Sequence, residues 1–82
     1  MLKIIPLPID AVYVPVKRTR TLDAARVEAL ATDMLDHGQT TPIRVRADGK
    51  RYVLIEGYHR LEALRALGEE HVDSYVVQAR QH

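Results

Sequence analysis

The chain has 82 residues, 46% hydrophobic and 28% charged, with a formal net charge of +1, the balance of one small globular domain rather than of a disordered or strongly basic segment. It contains no cysteine, which removes disulfides, thiolate metal sites and thiol nucleophiles together. No apolar run nears the length of a membrane span and the N-terminus lacks a signal peptide's cationic start, so a soluble, cytoplasmic protein with no membrane partner is expected.

Residues 1–82 are read as a single domain. A domain this small buries only about 60% of its unfolded surface, so its stability margin is thin. Residues 1–16 read as an extended opening. Lys3-Ile4-Ile5 is β-prone, while Pro6, Pro8 and Pro15 favour an edge strand followed by loop. Ile9 to Val12 is expected as one helical turn, with Val12, Val14 and Val16 as packing residues. Lys17 to Leu22 reads as a basic loop. Asp23 is an N-cap for a helix running to about Asp36. Val27, Leu30, Ala31, Met34 and Leu35 form its apolar stripe, and His37-Gly38 ends it.

Gln39-Thr40-Thr41-Pro42 leads into a strand from Ile43 to Ala47, in which apolar residues alternate with Arg44 and Arg46. Asp48-Gly49 is a two-residue hairpin turn joining it to a strand from Arg51 to Glu56. A second helix follows Gly57, with Leu61, Leu64 and Leu67 at helical spacing until Gly68. His71 to Ala79 reads as a last strand, and the final residues as frayed. The fold class expected is α/β (α+β), a small mixed sheet with both main helices on one side.

The turn from strand to helix at Glu56-Gly57-Tyr58-His59-Arg60 carries the chemistry. A helix N-terminus bears partial positive charge, so cations in its first turn cost about 0.3–1 kcal/mol unless an anion sits nearby. The N–H groups there also bind anions, and a glycine permits close approach to the backbone. Arg26 occupies the same unfavourable place on the first helix. A guanidinium at such a point suits bidentate phosphate binding. No second His, Asp or Glu stands at metal-ligand spacing from His59, so no protein metal site is expected. Arg44, Arg46, Lys50 and Arg51 read as a solvated strand face and turn.

The order of elements, Gln39…Pro42-Ile43-Arg44-Val45, and Gly57-Tyr58-His59-Arg60-Leu61-Glu62-Ala63 together resemble the ParB/sulfiredoxin superfamily over nearly the whole chain. Sulfiredoxins carry Gly-Cys-His-Arg at this turn, where the helix start, His and Arg hold ATP phosphates and the Cys reduces a peroxiredoxin sulfinic acid. His59 and Arg60 match. Arg20 and Arg26 fall where that family has basic residues facing the nucleotide. Tyr58 replaces the cysteine, so sulfinic acid reductase activity is not expected. Ala29 and Asp33 stand where hydroxyl residues are expected, and an Asp33 facing the pocket would repel a triphosphate. ParB proteins carry Gly-Glu-Arg-Arg and an Ala three residues on, and bind CTP there. Gly57, Arg60 and Ala63 match, while Tyr58 and His59 do not. Complete ParB proteins continue into DNA-binding and dimerisation regions, which this chain lacks, so a complete partition clamp is not expected.

The resemblance implies an ATP- or CTP-binding domain, with Mg²⁺, using Gly57, Tyr58, His59, Arg60, Arg26 and Arg20. Two alternatives stay open. One is an ATPase or small-molecule kinase in which Glu56 holds Mg²⁺ or orients a nucleophile, since a free amino-acid kinase exists in the superfamily. The other is a DNA-binding or nuclease-like protein using residues 17–26 and the strand arginines. A protein partner is also open.

Overall fold

The computed structural model describes residues 3–78. In chain order the elements are β1 (Ile4–Pro8), a 3₁₀ turn (Ile9–Ala11), β2 (Val12–Tyr13), α1 (Val16–Thr19), α2 (Ala24–His37), β3 (Ile43–Asp48), β4 (Arg51–Glu56), α3 (Tyr58–Ala66) and β5 (His71–Val77). The strands form one five-stranded sheet in the order β1-β5-β3-β4-β2. Pairs β1–β5 and β3–β4 are antiparallel, and β3–β5 and β2–β4 are parallel. This is the mixed α+β sheet expected.

One face of the sheet is apolar. Leu7, Val12, Ile43, Val45, Leu54 and Val72 come from all five strands and form a single core with Met34 of α2 and Tyr58, Leu61, Ala63 and Leu64 of α3. Helix α3 packs against β3 and β5, and α2 packs against α3. The register puts Arg44 beside Tyr75 and Arg46 beside Val53 and Val77 on the opposite face, so the alternation of β3 reads directly as inside and outside. Pro6 and Pro8 lie in β1, which pairs only with β5. An edge strand is where a residue without an N–H is tolerated.

Several expectations need correction. Residues 16–19 of the expected extended and loop segment form α1, and its first residue, Val16, is 67% exposed instead of packed. Val12-Tyr13 is a strand beside β4 and not the end of a helical turn. Leu35 is 73% exposed. At 3.6 residues per turn it lies about 80° round the helix from Val27, outside the narrow contact that α2 makes with α3. The hairpin turn is one residue later than expected: Asp48 still pairs with Arg51, leaving Gly49-Lys50 as the loop. Gly49 has φ 61° and Lys50 does not share that sign, as in a type II′ turn with glycine first. The expected end of the last strand, Ala79, and the frayed tail lie outside the described residues.

Three local devices fix the ends of these elements. Asp23 Oδ1 accepts the N–H groups of Ala25 at 3.0 Å and Arg26 at 3.3 Å, capping α2 as expected. At the end of α3, Glu69 N–H bonds Leu64 O and Gly68 N–H bonds Arg65 O, both at 3.0 Å, the paired closure of a Schellman motif. The side chain of Gln39 acts as an extra piece of strand. Its Oε1 accepts from Asp73 N–H at 2.8 Å and its Nε2 donates to Asp73 O at 2.9 Å. The amide thus supplies β5 with a donor and an acceptor just before β3 begins.

Candidate functional site

Strand β4 ends at Glu56 and the chain reverses at Gly57, with φ 103° and ψ 26°. A side chain is excluded there on two grounds. The left-handed conformation strains any L-residue, and a Cβ would lie 2.7 Å from Ile43 Cγ2 and 2.9 Å from Ile43 Cβ. Ile43 is fully buried at the start of β3 and cannot retreat. The glycine is therefore required by the backbone turn and by packing, whatever binds there. Its consequence for the site is that α3 starts without a side-chain cap. The first intrahelical bond at this end is Leu61 N–H to Gly57 O, at 2.9 Å. The N–H groups of Tyr58, His59 and Arg60 precede it and have no acceptor within the helix.

The start of α2 lies close by. Asp23 N–H donates to His59 Nε2 at 3.0 Å, so the two helix N-termini are tied together by the imidazole. As an acceptor, Nε2 carries no proton in this arrangement. The Tyr58 and His59 rings lie 5.9 Å apart at 55°. Tyr58 is 8% exposed and belongs to the core, so its ring fills space beneath the corner.

A cleft of about 350 Å³ opens between the two helix starts. Glu56, Gly57, Tyr58, His59 and Arg60 line it from the β4–α3 corner, Arg26 and Leu30 from α2, and Arg18 and Thr21 from the preceding segment. The structure thus brings Glu56, Gly57, Tyr58, His59, Arg60 and Arg26 to one cleft. Arg20, expected with them, ends α1 and is not among the lining residues. Asp33 and Ala29 do not line the cleft either. Asp33 pairs instead with His37 at 3.1 Å, so the repulsion it would bring to a triphosphate is absent.

Thr21 and Leu30 are the lining residues that sequence reasoning did not place there, and Arg18 is one it held as a weaker candidate than Arg20. Arg18 is held by an irregularity of the sheet. The register of β3 and β4 shifts between Arg44 and Val45, leaving Ile55 without a partner opposite. Arg18 Nη2 donates to the Ile55 carbonyl, which anchors the guanidinium beside the corner. Leu30 belongs to the apolar stripe of α2, which reads from sequence as packing, so its place at the cleft had no separate signal.

The electrostatics of the cleft are one-sided. Glu56 Oε1 lies 3.3 Å from Arg44 Nε, and Glu62 Oε2 lies 3.3 Å from Arg65 Nε. The two carboxylates nearest Arg60 in sequence are therefore engaged elsewhere. Among the described residues, no carboxylate lies within ion-pair distance of Arg18, Arg26 or Arg60. These guanidiniums and an uncapped helix start surround one cavity, an arrangement that a bound anion relieves. The second basic cluster behaves differently. Arg51 pairs with Asp48 at 3.5 Å and lies over the Tyr13 ring at 4.1 Å, and Arg44 pairs with Glu56, as a solvated face does.

Comparison with known proteins follows the same outline. The ParB N-terminal domain family matches residues 2–82. Among solved structures, sulfiredoxin from Arabidopsis thaliana is similar at 28% identity and a TM-score of 0.85, over 94% of this chain and 86% of that one. The chromosome-partitioning protein ParB from Caulobacter crescentus, complexed with CTP-γ-S, is similar at 22% identity and a TM-score of 0.82, over 96% of this chain and 46% of that one. A free serine kinase variant in complex with ADP is similar at 18% identity and a TM-score of 0.78, over 90% of this chain and 30% of that one. The chain thus spans less than half of the ParB structure and under a third of the kinase. No curated protein matches by sequence.

Proposed function

The chain belongs to the ParB N-terminal domain family, and from that premise we propose that it binds a nucleotide, ATP or CTP, through its phosphates in the cleft between α2 and α3. The observation that carries the reading is the convergence of Arg18, Arg26 and Arg60, without carboxylate partners among the described residues, on the uncapped start of α3. The N–H groups of Tyr58, His59 and Arg60 offer hydrogen bonds to phosphate oxygens. Arg60 adds a bidentate contact from the same turn, and Arg26 closes over it from α2. Tyr58 supports the floor, while Arg20, outside the cleft lining, is given no contact. The similarity to a ParB solved with CTP-γ-S and to a kinase solved with ADP supports the reading.

Mg²⁺ would enter on the nucleotide. Glu56 is the sole carboxylate lining the cleft, and no group of three or more His, Cys, Asp or Glu able to hold a metal occurs among the described residues. Mg²⁺ bound mainly through substrate phosphates requires no more than that. Sulfiredoxin's thiol chemistry is closed to this chain, which has no cysteine and carries Tyr58 at the corner.

Calorimetric titration with ATP, CTP and ADP in the presence of Mg²⁺ tests the proposal, run beside Arg60→Ala. Removing a charge-assisted contact worth about 1.5–3 kcal/mol should weaken binding roughly 10- to 100-fold. No heat with any nucleotide from the folded wild type would refute it. A second reading, phosphoryl transfer, rests on the position of Glu56 in the cleft. It predicts Mg²⁺-dependent turnover that Glu56→Gln abolishes while binding persists, and undiminished turnover in that variant would dismiss it.

A further inference from the structure

We infer that His59 is a proton-operated tie between the starts of α2 and α3: neutral, it holds them together, and protonated, it lets them part. The tie is a property of the fold, and only its bearing on ligand binding rests on the phosphate-binding reading above.

The bond at issue runs from Asp23 N–H to His59 Nε2, 3.0 Å across 36 positions of sequence. A backbone N–H donates and cannot accept, so Nε2 presents its lone pair and the proton of the neutral ring sits on Nδ1. The other tautomer and the imidazolium both put a hydrogen on Nε2, where it faces the hydrogen of Asp23 N–H. Neither form keeps the bond. An imidazole changes charge between about pH 5 and 8. The bond therefore belongs to the upper part of that range and is lost as the pH falls through it.

The surroundings do not restore it. Two helix starts meet at the imidazole, each with partial positive charge. Arg18 from α1, Arg26 from α2 and Arg60 from α3 line the same cleft, with Tyr58 beside the ring. Glu56 lies 3.3 Å from Arg44. The Asp23 carboxylate caps α2 through the Ala25 and Arg26 N–H groups, and an imidazolium that turned to it would still abandon the Asp23 N–H. What the released N–H carries with it is the first turn of α2, and so Arg26. The cleft is assembled with His59 neutral and loosened in mild acid.

Titration of the nucleotide-free, ¹⁵N-labelled protein from about pH 8 to about pH 5.5, without phosphate in the buffer, tests this within the imidazole range and above that of ordinary carboxylates. At the upper end the two ring nitrogens of His59 should report the Nδ1–H tautomer. On acidification the Asp23 amide should shift along one sigmoid with the midpoint of the His59 ring, and the Ala25 and Arg26 amides should follow. His59→Gln brings a side-chain oxygen to the reach of Nε2 and has no proton to gain, so its Asp23 amide should hold its position across the range. His59→Leu has no acceptor, and its Asp23 amide should sit near the acid position throughout. An Asp23 amide that stays still while the His59 ring titrates, an Nε2–H ring at the upper end, or an Asp23 amide that titrates as fully in His59→Gln as in the wild type would each overturn the tie. The wild type and His59→Gln decide the matter even where His59→Leu does not fold. No ligand enters the experiment, so failure of the tie leaves the nucleotide reading standing, and failure of nucleotide binding leaves the tie.

Discussion

Gly57 and Arg60 stand three positions apart and answer to different constraints. Gly57 is held by φ 103° and by Ile43 at 2.7 Å from any added Cβ. Gly57→Ala is expected to lose roughly 2–4 kcal/mol from backbone strain and overpacking. That is a large share of the stability of a small domain, to be read as a lower urea midpoint. Retained wild-type stability would mean that the corner relaxes at little cost. Arg60 has no ion-pair partner among the described residues, so Arg60→Ala should leave the melting temperature unchanged while abolishing most nucleotide affinity. Leu35 supplies a control for the fold. It is 73% exposed, so Leu35→Gln should change stability by less than about 0.5 kcal/mol. The fully buried Leu61 should cost about 2–5 kcal/mol on truncation to alanine. Residue types at the corner were legible because glycine followed by His and Arg at a helix start is electrostatically odd. The reason for the glycine was not, since Ile43 meets it only through the fold.

The long periodic elements were readable from the sequence: α2 with its Asp23 cap, the β3–β4 hairpin, α3 and the described part of β5. The short ones were not. Strand β2 has two residues and α1 four, too few for any period to show. The bulge that frees Ile55 for Arg18 leaves no mark in composition, so what anchors Arg18, a weaker candidate in the sequence, came only with the structure. Gln39 marks the approach to β3 in the sequence, but its role needs Asp73, 34 positions away. Gln39→Ala should unpair the Asp73 backbone and lower stability by about 1–3 kcal/mol, measured by thermal denaturation, with nucleotide affinity retained. An unchanged melting temperature would show that water replaces the amide without loss. The Asp23–His59 bond joins the starts of α2 and α3, which places Arg26 opposite Arg60. The two helices thus form the site as a pair.

At the scale of the whole molecule, a net charge of +1 conceals a separation of charge. Arg18, Arg26 and Arg60 meet at the cleft without carboxylate partners among the described residues, while Arg44 and Arg51 pair with Glu56 and Asp48. Overall charge therefore gave no hint of an anionic ligand, whereas the local pattern does. Among the described residues no helix is long and apolar enough to cross a membrane. Because the domain is small, a ligand of its native state should stabilise it visibly. ATP at about one hundred times its dissociation constant should add about 2.7 kcal/mol and raise the melting temperature, and at the same concentration Arg60→Ala should lose about half of that increment or more. The same increment in both proteins would place the nucleotide elsewhere.

The most direct measurement is a nuclear magnetic resonance titration of ¹⁵N-labelled protein with ATP and Mg²⁺, following the backbone amides. The account predicts the largest shifts at Tyr58, His59 and Arg60, with a second group from Thr21 to Arg26, and little change at Arg44, Arg46 and Arg51. Saturable shifts centred on the strand arginines, with the amides of residues 58–60 unmoved, would contradict it.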